Sequence, residues 1–229
     1  YVQVIKVIGY VIFWESEYVK KLEEHNDRGP IKVIYGSKYV VMPDLSMVNI
    51  GDIIYTVSVL ENKLCVMARL PVEKIEASFE YLYRELSYVD SVPIPDGTAI
   101  VSQEELGKFA VFSDGMGYLS SRGAHISCVA AIPRTVTRII DKDKLPYIPH
   151  LFHQEPITRG AETALSGEHG SEIYPRTVSE EVLPMLKFGW PLRKQRALSM
   201  RNGVPDPCSF RGYVRRMNDF TFEYLDSLF

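Results

Sequence analysis

At 229 residues, with 46% hydrophobic and 24% charged residues, the chain has the composition of a folded globular protein and is long enough to bury a core without metal or disulfides. A net charge of −3 argues against a protein basic over its whole surface, and three widely spaced cysteines, Cys65, Cys128 and Cys208, give neither a disulfide framework nor a Cys-x-x-Cys metal knuckle. The longest apolar stretch, Val7 to Trp14, falls far short of the roughly 20 residues of a membrane helix, and no secretory leader pattern is read before it. A reducing, cytoplasmic setting with no membrane partner is therefore expected.

The run Val2 to Trp14 is rich in Val and Ile and predicts a buried strand. Ser16 stands where a helix N-cap would, and Tyr18, Val19 and Leu22 recur at helical spacing, which predicts a short helix over Glu17–His25. Short strands are expected over Ile31–Tyr35 and Tyr39–Met42. The clearest hairpin follows: the turn Asn49-Ile50-Gly51-Asp52 feeds Ile53–Leu60, and Glu61-Asn62-Lys63 reverses the chain into Leu64–Leu70. Ala77–Tyr88 predicts an amphipathic helix with Phe79, Leu82, Tyr83 and Leu86 on one face. Strands are expected at Phe109–Phe112, Ile126–Ile132 and Thr135–Ile140. Beyond about Lys144 lie eight of the 14 prolines, strand runs vanish, and short helices are expected at Thr158–Leu165, Ser179–Leu186 and Asn218–Leu228. This divides the chain into a β-rich domain over 1–144 and a Pro-rich, basic, partly helical region over 145–229, either a small second domain or an arm packed on the first.

The run Val48-Asn49-Ile50-Gly51-Asp52-Ile53-Ile54-Tyr55, followed by a returning strand and Arg69-Leu70-Pro71-Val72-Glu73-Lys74-Ile75, resembles the core of PUA-like barrels of the EVE, ASCH and YTH type, over roughly residues 31–76. The resemblance implies an α+β protein with a β-rich barrel core and flanking helices. It further implies a module that binds nucleic acid and can hold a modified or flipped base against aromatic rings, with Trp14, Tyr35 and Tyr55 as candidates. A base stacked on such a ring gains about 1–3 kcal/mol. The same aromatics would serve equally as core.

Between Lys187 and Arg216 stand eight basic residues, Lys187, Arg193, Lys194, Arg196, Arg201, Arg211, Arg215 and Arg216, opposed only by Asp206 and interleaved with Phe188, Trp190, Phe210 and Tyr213. Guanidinium forks fit phosphate oxygens, so the segment suits DNA, RNA or an acidic protein partner. It would also serve as a solvated face, or pair with carboxylates elsewhere. Pro43-Asp44 with Glu61-Asn62-Lys63 loosely matches a metal-dependent nuclease pattern, but a hairpin loop is the wrong place for carboxylates that must converge on one Mg²⁺. His150, His153 and Glu155 lie between Pro149 and Pro156 and read as structural rather than metal-binding. No catalytic set, metal or cofactor is expected. The leading expectation is a nucleic-acid-binding module, with Arg193, Arg196, Arg211, Arg215 and Arg216 as contacts. A protein-interaction or inhibitor protein using the basic face, and a nuclease, are the alternatives.

Overall fold

The computed structural model describes residues 6–37, 43–85, 100–102, 109–113, 117–119, 129–131, 136–141, 162–189, 194–210 and 214–229. In chain order these form β1 (Gly9–Phe13), α1 (Ser16–Glu24), β2 (Val33–Gly36), β3 (Ile53–Leu60), β4 (Lys63–Pro71), β5 (Lys74–Ala77) and α2 (Ser78–Glu85). Next come β6 (Ile100–Ser102), β7 (Phe109–Ser113), β8 (Gly117–Leu119), β9 (Val129–Ala131), β10 (Val136–Asp141) and β11 (Thr163–Ser166). The chain continues with β12 (Arg176–Thr177), β13 (Lys187–Gly189), β14 (Arg196–Ala197), β15 (Met200–Arg201), β16 (Val204–Pro205), β17 (Arg215–Met217) and α3 (Asp219–Asp226). The protein is mixed α+β and mostly strands. Among the described residues no helix is long and apolar enough to cross a membrane.

The largest sheet has the order β12-β4-β3-β1-β17-β13-β14. It joins strands from both sides of residue 144. Its centre is the hairpin β3–β4, in which Leu60 pairs with Lys63 and the reversal takes only Glu61 and Asn62, both at positive φ (48° and 65°). That is the two-residue turn whose twist matches the flanking strands, so Lys63 belongs to the ladder and not to the loop. Gly51 sits at φ +93°, a value that favours glycine, and next to it Asp52 is buried. The Asp52 carboxylate accepts from the Ile8 N–H (3.1 Å) and the Asn49 N–H (2.9 Å), so the Gly-Asp turn also ties down the entry to β1.

Strand alternation gives this sheet two buried faces. On one, Tyr10, Ile12, Trp14, Ile54 and Met67 pack with Tyr18, Val19 and Leu22 of α1 and with Ile34 and Leu165 of the small sheet β2-β11-β5. On the other, Val11, Tyr55, Val57 and Val66 pack with Phe188, Leu198, Phe210, Met217 and Leu225. Each fully buried side chain of Leu or Phe size is worth about 1.5–3 kcal/mol of removal from water. Three smaller sheets, β10-β7-β8, β6-β9 and the hairpin β15-β16, complete the described strands.

Several expectations need correction. Among the described residues the sheets are open, with edge strands such as β12 and β14 only two residues long, and no closed barrel is found. Strands do not vanish after residue 144; they shorten to two to four residues, too short for alternation to show in the sequence. Thr163–Leu165, expected to close a helix, instead lies in β11, held between β2 and β5. Ser179–Leu186 supplies only a single 3₁₀ turn at Leu183–Met185, because Pro184 has no N–H for a longer helix. The N-cap of α1 is Glu15, in extended backbone, and Ser16 is already helical. The expected strand at Tyr39–Met42 and the His150, His153, Glu155 group lie outside the described residues.

Candidate functional site

Register decides where the basic residues go. Phe188 of β13 pairs with Arg196 of β14 on one side and with Met217 of β17 on the other. Directly paired residues share a face and neighbours alternate, so Arg196, Phe188, Met217 and Arg215 lie on the Tyr55 face of the sheet. Arg216, opposite Tyr10, lies on the other face. Its positive charge eases the Tyr10 hydroxyl, whose pKa is nonetheless raised by burial and by nearby Asp52.

On the Tyr55 face the end strands enclose a cavity of about 350 Å³ lined by Lys194, Arg196, Ser199, Ser209, Arg215 and the apolar Phe188, Ala197 and Leu198. This lies in the roughly 300–1,000 Å³ range of small-molecule sites. Phe188 is braced from below by Phe210, edge to face at 5.1 Å, and Phe210 stacks on Phe13 at 6.2 Å. Arg215 is held by its Nε, which donates to the Ser209 carbonyl at 2.9 Å. Lys194 and Arg196 are exposed, and among the described residues neither forms an ion pair. Asp206, the one carboxylate in the basic stretch, accepts from the Cys208 N–H (3.0 Å) and caps its own 3₁₀ turn. The cavity therefore presents positive charge over an apolar wall.

The opposite end of the same face is electrostatically closed. Arg69, Tyr55, Val11 and Arg215 are register partners across four strands. Asp226 of α3 lies 3.0 Å from Arg69 Nε and accepts from the Tyr55 hydroxyl at 2.6 Å. Burial and this bond push the Tyr55 hydroxyl far above the usual phenol range. The Arg176 guanidinium lies between the rings of Tyr174 (3.6 Å) and Phe229 (3.9 Å) and donates to the carbonyls of Met67 and Tyr174. Burial lowers its pKa.

Trp14, Tyr35 and Tyr55 are 1%, 0% and 0% exposed. Trp14 packs in the Tyr10-face core, Tyr35 meets Tyr81 of α2 edge to face at 5.9 Å, and Tyr55 meets Phe222 at 6.2 Å. In this conformation none of the three offers a ring to a base. The structure brings Arg196 and Arg215 together, sends Arg216 to the other face, and leaves Arg193 and Arg211 outside the described residues. Lys194 and Phe188, which the sequence placed in the basic aromatic stretch, join the lining, together with Ser199 and Ser209, which it did not single out. Asn202-Gly203, the turn of the β15–β16 hairpin, was the available signal that a strand pair formed there.

Glu61 stands at the apex of the β3–β4 turn and Lys63 in its ladder. Among the described residues no group of three or more His, Cys, Asp or Glu side chains could hold a metal ion. Cys65 is buried, which pushes its thiol pKa up. No family model, curated protein or solved structure matches this chain.

Proposed function

We propose that the protein is a nucleic-acid-binding module and that the cavity over Phe188 is its contact surface. The observation that carries this is the convergence of Lys194, Arg196 and Arg215 on one concave, half-apolar pocket, with Lys194 and Arg196 making no ion pair among the described residues. Cations left without carboxylates are available to phosphate oxygens, and an apolar wall beside them accommodates a base or sugar. Phe188, itself mostly buried, lines the cavity and so takes the place of Trp14, Tyr35 and Tyr55 as the aromatic of the site. The PUA-like relationship and recognition of a modified or flipped base remain part of this proposal, supported by the β3–β4 hairpin and the Gly51-Asp52 turn.

An acidic protein partner would use the same cations, but a protein surface is met by a convex or flat face more readily than by a pocket. Fluorescence anisotropy with labelled single- and double-stranded DNA and RNA, with and without modified bases, tests the reading. Binding should weaken steeply between 50 and 200 mM salt, as phosphate neutralisation requires. Absence of binding to every oligonucleotide at low salt ends the proposal.

A further inference from the structure

A second cavity, of about 390 Å³, lies against the first. Ala197 and Leu198 line both, so the end of β14 and the residue after it form the ridge between them. The second is more apolar, with Leu64, Val178, Leu183 and Met200 in its wall. Asn62 and Lys63, from the tip of the central hairpin, stand at its rim. Glu180 stands there too and is the one carboxylate lining it among the described residues. Arg201 is exposed on the next strand, β15. From Arg196 to Arg201 the chain advances five residues, so their Cα atoms are separated by at most about 18 Å.

We infer that the two cavities are adjacent subsites of one track for single-stranded nucleic acid. The inference rests on the nucleic-acid reading above and extends it. One nucleotide sits over Phe188 with its phosphate against Lys194, Arg196 and Arg215. The strand crosses the β14 ridge, and a following base enters the apolar second cavity while Lys63 and Arg201 meet phosphates beyond it. A single strand is favoured over a duplex because both cavities are recesses with apolar walls. Bases reach such recesses only when they are unpaired and unstacked.

The test is anisotropy with oligothymidylates of two and of eight nucleotides, against wild type, Lys63→Ala, Arg201→Ala and Arg196→Ala. Lys63 and Arg201 are exposed, so their loss leaves the fold intact. Wild type should bind the octamer more tightly than the dimer. Lys63→Ala and Arg201→Ala should each weaken octamer binding about fivefold and reduce its salt slope by about 0.7, with the dimer unchanged. Arg196→Ala should weaken both lengths. If Lys63→Ala and Arg201→Ala leave octamer affinity and slope unchanged while Arg196→Ala still weakens binding, the track is overturned and the single pocket stands. If Arg196→Ala also has no effect on either length, the pocket itself is overturned.

Discussion

One face of the central sheet carries arginines at both ends, and the two ends are in opposite states. At the β4–β12 end, Arg69 is met by Asp226 and Arg176 is enclosed by Tyr174 and Phe229. At the β13–β14 end, Lys194 and Arg196 line an open cavity and make no ion pair among the described residues. The difference comes from α3. Its last turn and the residues after it bring a carboxylate and a ring down on the first end. Its first turn only supports the second: the Lys187 N–H donates to the buried Thr221 Oγ1 at 2.8 Å, which fixes β13 as the cavity wall. Where charge is compensated by the chain itself, it serves stability. Where it is not, it is available to a ligand.

The largest effect should come from breaking the closed end. Asp226→Ala leaves the Tyr55 hydroxyl buried without its acceptor and Arg69 without its counter-charge. A loss of about 1–3 kcal/mol is expected from the urea midpoint, most of it from the stranded Tyr55 hydroxyl because the Arg69–Asp226 pair is partly solvent-screened, with Tyr55→Phe costing about 1 kcal/mol. An unchanged midpoint for Asp226→Ala would mean the closed end is ordinary surface.

A second closed pair tests the same idea through pH. Glu76 is buried and accepts from Arg84 at 3.0 Å on both oxygens and from Lys74 at 2.6 Å. Arg84 and Lys74 outweigh burial and hold its pKa below the ordinary value of 4.5. A lowered carboxylate pKa stabilises the fold above the unfolded value, and that contribution is lost as pH falls through the folded one. Glu76→Gln should therefore lower stability at pH 7 and flatten its decline below about pH 4.5; a decline identical to wild type would contradict the pairing.

The open end should behave in the reverse sense. Arg196→Ala is expected to move stability by less than about 0.5 kcal/mol, because no partner is lost, while weakening oligonucleotide binding. Marked unfolding by this variant would show that Arg196 is structural.

Smallest of all is the exposed pair His169–Glu73, at 2.5 Å. The Glu73 carboxylate raises the His169 pKa, and His169 lowers that of Glu73. The pair contributes only between those two values, fading as Glu73 protonates on the acid side and as His169 loses its proton on the alkaline side. His169→Gln should leave the thermal midpoint at neutral pH unchanged within error, and a clear drop would mean that exposed pairs matter here.

The hairpin β3–β4 was legible because eight and nine residues of dense β-branched and aromatic sequence leave little alternative. Its turn was read one residue too long, since Lys63 is polar yet pairs with Leu60. Most C-terminal strands were illegible because two to four residues carry no clear period, and β11, β12 and β17 pair with strands far away in sequence; the β15–β16 hairpin, with its Asn202-Gly203 turn, is the exception. The adjacent Arg215 and Arg216 look like one patch in the sequence, and only strand pairing separates them to opposite faces. The aromatic candidates misled for a related reason. Residue type shows that a ring can stack, but Tyr55 lies between Ile53 and Val57 in a strand buried on both faces, so its ring was already committed to the core.

The most direct measurement is the salt dependence of single-stranded oligonucleotide binding by wild type and by Lys194→Glu/Arg196→Glu, with both proteins first shown to unfold at the same urea concentration. The open end predicts steep salt dependence for wild type and at least about tenfold weaker binding for the double variant. Equal affinity of the two proteins, at equal stability, would contradict it.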